Sequence, residues 1–261
     1  MLEHFDALHA VAGLLVGLLV GLTGVGGGSL MTPILVLIFG INPGTAVGTD
    51  LLFASLTKIV GSTVHGKRNS VDWKIVRRLA LGSVPAAVLT LVVMSQLGRP
   101  PEGTSRVVLM VLGIMLIVTA VATLFQKQIA AFAQAREDSA TAEARAPWAT
   151  VLLGAVLGVA VTLSSVGAGA IGVTALLLLY PGLRIARIVG SDIAHAVPLT
   201  LVAGFGHWVI GDVNFALLLA LLLGSVPGVI VGSLLSTRSP DRILRPALAA
   251  VLLVSGIKLL T

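Results

Sequence analysis

Apolar positions along this chain fall into long runs, and clusters of glycine interrupt two of them. The first such run extends from His9 to Gly40 and holds Thr23-Gly24-Val25-Gly26-Gly27-Gly28-Ser29 near its middle. As one straight helix it would reach about 48 Å, well beyond the ~30 Å hydrocarbon layer of a bilayer. Four glycines within five positions are also a poor helix interior, each costing roughly 1 kcal/mol against alanine. The pattern predicts two half-helices joined at a glycine break, a helical hairpin over 9–40. Inside a membrane such a break is tolerated only where protein buries it or a watery cavity lines it.

The next apolar stretches predict spanning helices at about 45–64, 79–97 and 104–126. Gly40-Ile41-Asn42-Pro43-Gly44 turns the chain into the first. A basic loop with Lys67, Arg68, Lys74, Arg77 and Arg78 follows it, and Pro100-Pro101 separates the second from the third. Residues 127–147 are the long polar stretch of the chain, Ala-rich and partly compatible with helix, and read as a linker between halves. Beyond it the pattern predicts a second hairpin over 148–180 and helices at about 188–208, 214–236 and 242–260.

This second half repeats the first. Val25-Gly26-Gly27-Gly28 recurs as Val166-Gly167-Ala168-Gly169, Gly48-Thr49-Asp50 as Gly190-Ser191-Asp192, and His65 as His207. Gly82-Ser83-Val84-Pro85-Ala86 recurs as Gly224-Ser225-Val226-Pro227-Gly228, and Gly113-Ile114 as Gly256-Ile257. The offset drifts only from 141 to 143, which makes the chain two copies of one unit: a first repeat over 1–126, the linker, and a second repeat over 148–261.

Composition fixes the environment. Hydrophobic residues make up 56% of the chain and charged residues 11%, with mean hydropathy +1.05. Soluble domains carry about 25% charged residues, so this is an all-α polytopic membrane protein. Zero cysteines exclude disulfides and cysteine-ligated metal or cluster chemistry. The formal charge of +6 does not imply nucleic acid, because the basic residues sit in short loops beside apolar spans, where they set topology and meet anionic lipid. The first nine residues carry Glu3 and Asp6 but no Lys or Arg, unlike a cleavable signal peptide.

Charge also orients the repeats. If each broken segment crossed the membrane, basic residues would divide almost evenly between the faces. If each is a re-entrant hairpin, every unit has three crossings and the second is inverted. Thirteen of the 17 basic residues then share the cytoplasmic side, with Arg99, Arg106 and Lys258 opposite. The positive-inside rule favours this second arrangement. It puts the linker in the cytoplasm and both termini on the outer face of the plasma (inner) membrane. Inverted units with glycine-broken segments at matching positions are the architecture of secondary transporters, whose substrate sits at the breaks.

Gly24, Gly26, Gly27, Gly28 and Pro33, their degenerate second copy and the Gly-Thr/Ser segment resemble the sulfite exporter TauE/SafE family along essentially the whole chain. The second copy departs in having Ala168 for a glycine and Thr174 where the first has Pro33. Asp50 departs too, since the family often has a neutral residue there. The resemblance implies transport of a small sulfur-containing anion such as sulfite, sulfoacetate or thiosulfate, or a related organosulfonate.

Candidate chemistry follows from the breaks. A half-helix N-terminus presents free amides and partial positive charge, a ready anion site. The amides of Gly26, Gly27, Gly28 and Ser29, with those of Gly167, Gly169 and Ala170, are candidate anion donors; Gly24 shapes the same tip. Thr23, Ser29, Ser164 and Ser165 could add hydroxyls. Gly13, Gly17, Gly21, Gly154 and Gly158 read instead as close-packing positions. Asp50 and Asp192 either bind a coupling proton or cation, or hydrogen-bond the starts of their own helices. Lys58 either attracts the anion or pairs with an acid. His65, His195 and His207 are candidates for gating or proton transfer, with interfacial placement as the alternative. Pro85 and Pro227 are expected to kink their spans, and Trp73, Trp148 and Trp208 to anchor at the interface.

No spacing suggests a metal site or a cofactor. The sequence thus points to alternating access of a small anion between two inverted repeats, with proton coupling as a secondary expectation and oligomerisation left open. The alternative is an anion channel using the same tips; a membrane-embedded enzyme ranks lower, since no nucleophile–base set appears.

Overall fold

Among the residues described by the structure, a computed structural model covering 7–23, 28–65, 71–96, 103–134, 140–235 and 241–261, all regular structure is helical. The helices are α1 (Ala7–Thr23), α2 (Gly28–Leu37), α3 (Pro43–His65), α4 (Trp73–Gln96), α5 (Gly103–Gln134), α6 (Ala140–Ser164), α7 (Ala170–Leu179), α8 (Ile185–Ile210), α9 (Phe215–Leu235) and α10 (Asp241–Leu260). In lipid only elements that satisfy their own backbone groups can span, and helices do so within one segment. Pro85 and Pro227 lie inside α4 and α9, which continue through them. The polar stretch 127–147 is helical at both ends, as the tail of α5 and the head of α6.

Five helices among the described residues are long and apolar enough to cross a membrane: α4, α5, α6, α8 and α9. Four of them, α4, α5, α8 and α9, coincide with crossings read from the sequence. Helix α3 has the length but is diluted by Asp50 and Lys58. Helix α6 has the apolar length, yet the chain turns back after Ser164. Polarity runs inward: Leu81, Leu234 and Trp148 are 69%, 69% and 80% exposed, while Asp50, His195 and His207 are fully buried. Only a lipid surround makes that distribution favourable.

Each glycine-broken segment returns to where it began. His9, near the start of α1, stacks on Phe39, just beyond α2, with ring centroids 4.4 Å apart. At the equivalent positions of the second half, Thr150 Oγ1 lies 2.7 Å from Tyr180 Oη, which also accepts a hydrogen bond from Arg78 Nη1 at 3.2 Å.

Packing between helices recurs in duplicate. Gly13 lies against the backbone of Leu221, Gly17 against Ser225, and Gly224 against Ala10, so α1 runs parallel to α9. Gly154 lies against Leu79, Gly158 against Ser83, and Gly82 against Val151, so α6 runs parallel to α4. Every member of the second set is the repeat counterpart of a member of the first. Glycine permits this because its missing Cβ lets backbones approach to near contact, the main source of helix association in lipid. Two further pairs join counterparts directly. Gly113 faces Gly256 and Leu260 while Gln126 accepts a 2.7 Å bond from Arg245, so α5 and α10 are antiparallel. Gly48 faces His207 and Gly204 faces Leu52, so α3 and α8 are antiparallel as well. One end of the bundle is closed by Ile75, Ala130, Leu176, Leu177 and Ile188, which gathers the starts of α4 and α8 with the ends of α5 and α7. Arg78 and Arg187 lie at this end, the latter 3.9 Å from Asp72.

Candidate functional site

The second hairpin tip is built by local chemistry. Ser164 donates to the carbonyl of Ala160 at 2.6 Å, and its Oγ lies 3.2 Å from the amide of Val166, so this hydroxyl closes the end of α6. The chain then reverses through positive φ at Ser165 (58°), Gly167 (126°) and Gly169 (134°), the last being the N-cap of α7. A Cβ strongly disfavours the conformation of the two glycines. Gly167 and Gly169 carbonyls accept from Gly172 and Val173, which leaves the first amides of α7, those of Ala170 and Ile171, without a partner among the described residues. No side chain caps them.

Four ionisable side chains gather near this tip. Asp50, on α3, accepts a hydrogen bond at Oδ2 from Thr32 Oγ1 of α2, while its Oδ1 has no partner. Ser165 Oγ lies beside the same carboxylate and is likewise buried without a hydrogen bond. Asp192, on α8, rests its Oδ1 against the Cα of Gly172 in the first turn of α7. Lys58 is buried within electrostatic reach of both carboxylates, more strongly of Asp192. His195, one turn beyond Asp192, has Nε2 2.7 Å from Ser83 Oγ of α4, and its Nδ1 is unbonded. Helices α3 and α8 thus bring Asp50, Lys58, Asp192 and His195 together with Ser165 and the start of α7. No group of metal ligands forms among the described residues.

Other candidates lie elsewhere. His207 is fully buried near the end of α8, with Nε2 2.9 Å from the carbonyl of Thr162 and Nδ1 3.7 Å from Asp212. Ser29 is buried in the first turn of α2. Gly24, Gly26 and Gly27 lie outside the described residues, as do the side chains of Thr23, Gly28 and His65.

Sequence reasoning missed Thr32, Thr49, Ser83 and Ser191. Thr49 Oγ1 accepts from the amide of Asn214 at 3.1 Å, and Ser191 Oγ from that of Asp72 at 2.7 Å. Asn214 and Asp72 in turn cap α9 and α4. The hydroxyl in each Gly-Thr/Ser-Asp copy therefore fastens a helix start in the other half. Its recurrence beside Asp50 and Asp192 was the available signal.

The family model for the sulfite exporter TauE/SafE matches residues 9–259. The chain is 38% identical over 248 residues to "Probable membrane transporter protein YjnA" of Bacillus subtilis (strain 168), covering 95% of this chain and 97% of that protein. It is 26% identical over 250 residues to "Probable membrane transporter protein YdhB" of the same organism, covering 94% and 96%. No solved structure matches. The chain belongs to the sulfite exporter TauE/SafE family and is a multi-pass membrane protein.

Proposed function

We propose that this membrane transporter carries a small sulfur-containing anion, such as sulfite, sulfoacetate, thiosulfate or a related organosulfonate, by alternating access between two inverted repeats. The observation that carries this reading is the start of α7: two unbonded amides at a buried half-helix N-terminus, with Lys58 close by. Amides and dipole there favour an anion. An oxyanion with three or more acceptor oxygens can take both amides at once.

The duplicated packing supports the inverted arrangement. Counterpart helices α5 and α10 are antiparallel, as are α3 and α8, which is what two units related by a two-fold axis in the membrane plane require. The positive-inside rule then assigns the end bearing Arg78 and Arg187, together with the linker, to the cytoplasm and both termini to the outside of the inner membrane. Transport rather than chemistry is the proposed role, with the net negative balance of Asp50, Lys58 and Asp192 favouring an accompanying proton.

The test is thermal stabilisation of the purified protein by sulfite, sulfate, thiosulfate, sulfoacetate, taurine and simple carboxylates. The control is Ala170→Pro, which deletes one of the two amides while suiting the first helical position. Stabilisation by one sulfur anion, abolished in a variant that melts normally without it, is the expected result. Equal stabilisation of wild type and variant would remove the tip from the anion site.

A further inference from the structure

We infer that the accompanying proton rides on Oδ1 of Asp50, its O–H turned toward Ser165 at the tip of the opposite hairpin, and that Asp192 instead serves as the standing counter-charge of Lys58. This rests on the transport reading above and says which of two repeat-equivalent acids does what.

The two carboxylates occupy matched positions but unlike surroundings. Thr32 donates to Oδ2 of Asp50, while Oδ1 is free and Ser165 Oγ stands beside the same carboxylate with no hydrogen bond of its own. A hydroxyl both donates and accepts, so Ser165 can donate to an ionised Asp50 and accept from a protonated one. Both states are satisfied without moving a helix. Asp192 has no such partner; its Oδ1 faces the Cα of Gly172, which accepts nothing. Of the two carboxylates Lys58 acts more strongly on Asp192, so lysine and acid are placed to offset one another.

Other charged groups do not change this count. On α3 itself there is Lys58. Helix α8 contributes Asp192, His195, His207, held at Thr162 and Asp212, and Arg187, which lies 3.9 Å from Asp72 at the end of the bundle. Helices α2 and α9 carry no ionisable residue, and those of α5 (Arg106, Lys127) and α6 (Glu143, Arg145) lie toward helix ends. With Lys58 and Asp192 offsetting one another, an ionised Asp50 leaves one uncompensated negative charge beside the start of α7. Bringing an anion there is opposed by that charge. Protonation forms one O–H bond at Oδ1, removes the charge and permits the anion; release breaks the same bond and returns the proton to water. By linkage, each ligand strengthens binding of the other, so proton and anion travel together.

Proteoliposomes carrying an internal pH dye and given an inward gradient of sulfoacetate or of thiosulfate test the coupling. Wild type is expected to acidify the lumen as the anion enters. Asp50→Asn, which still accepts from Thr32, is expected to exchange labelled for unlabelled anion while losing the acidification. Lumen acidification by Asp50→Asn would overturn the inference. A second readout needs no substrate: the infrared band of a protonated carboxyl, followed in purified protein as pH is lowered. The band is expected to vanish in Asp50→Asn, persist in the Asp192→Asn/Lys58→Met double variant and shift in Ser165→Ala. A band lost only with Asp192, or unmoved by Ser165→Ala, would overturn the assignment. If neither anion moves in wild type yet the band follows Asp50, the proton site stands and the sulfur-anion reading falls.

Discussion

His207 on α8 and Thr162 on α6 are joined by a 2.9 Å hydrogen bond from the imidazole Nε2 to the main-chain carbonyl, with both residues fully buried. The carbonyl belongs to the last turn of α6, where a helix leaves its acceptors unpaired. The ring thus ties the deep end of the second hairpin to α8, and the carbonyl acceptor fixes the hydrogen on Nε2. His207→Ala strands that carbonyl in a setting without water and is expected to destabilise the protein by about 1–3 kcal/mol. His207→Gln, which keeps an N–H donor, should recover part of the loss. Thermal unfolding in detergent reads both; an unchanged midpoint for His207→Ala would mean the bond holds nothing.

Much of this was legible in the sequence because lipid makes the rules strict. Glycine clusters in apolar runs longer than a bilayer gave the breaks between α1 and α2 and between α6 and α7, and glycines at spacing four gave Gly13, Gly17, Gly154 and Gly158 as packing positions. What stayed hidden was pairing across distance. Ser83 and His195 are 112 positions apart, and Thr49 and Asn214 are 165 apart. Nothing local distinguishes a serine that meets a histidine from its counterpart Ser225, whose hydroxyl has no partner. The unlike settings of Asp50 and Asp192 were hidden for the same reason, since Thr32 and Ser165 come from two different hairpins.

The duplicated glycine contacts predict equal penalties at matched sites. A Cβ at Gly17 would collide with the backbone of Ser225, and one at Gly158 with that of Ser83. Backbone cannot rotate aside as a side chain can. Gly17→Val and Gly158→Val are each expected to cost about 1–3 kcal/mol or more by overpacking. Gly40→Ala tests the contrast: nothing lies within 4 Å of its added Cβ, so only the positive φ of 63° opposes it. That penalty is roughly 1–2 kcal/mol. Chemical unfolding of the three variants measures the difference, and a neutral Gly17→Val would break the proposed equivalence.

The hydroxyls of Thr49 and Ser191 predict a second matched pair. Each accepts an amide from the residue that caps a helix in the other half, Asn214 for α9 and Asp72 for α4. Thr49→Val and Ser191→Ala remove that acceptor and are each expected to cost about 1 kcal/mol. Amide exchange should speed up locally, at Asn214 in the first variant and at Asp72 in the second. Exchange that rises uniformly along the chain would place the effect elsewhere.

Lys58 and Asp192 supply the last prediction, because their charges should be worth more together than apart. Lys58 is buried on α3, Asp192 is buried on α8, and Asp192 is the acid Lys58 feels most. Removing one partner of a buried pair leaves the other uncompensated, which costs far more than removing both. Lys58→Met and Asp192→Asn should each destabilise the protein, and the double variant should lose less than the two combined, with a coupling of about 0.5–3 kcal/mol. The cycle is read by equilibrium unfolding of the four proteins in the same detergent. It also separates two roles for the lysine. If the costs simply add, Lys58 is not the partner of Asp192, and the charge count that leaves Asp50 alone at the centre no longer holds. If they couple, neutralising the pair together should spare the fold, so any loss of anion binding in the double variant reports the contribution of Lys58 to the substrate rather than to stability.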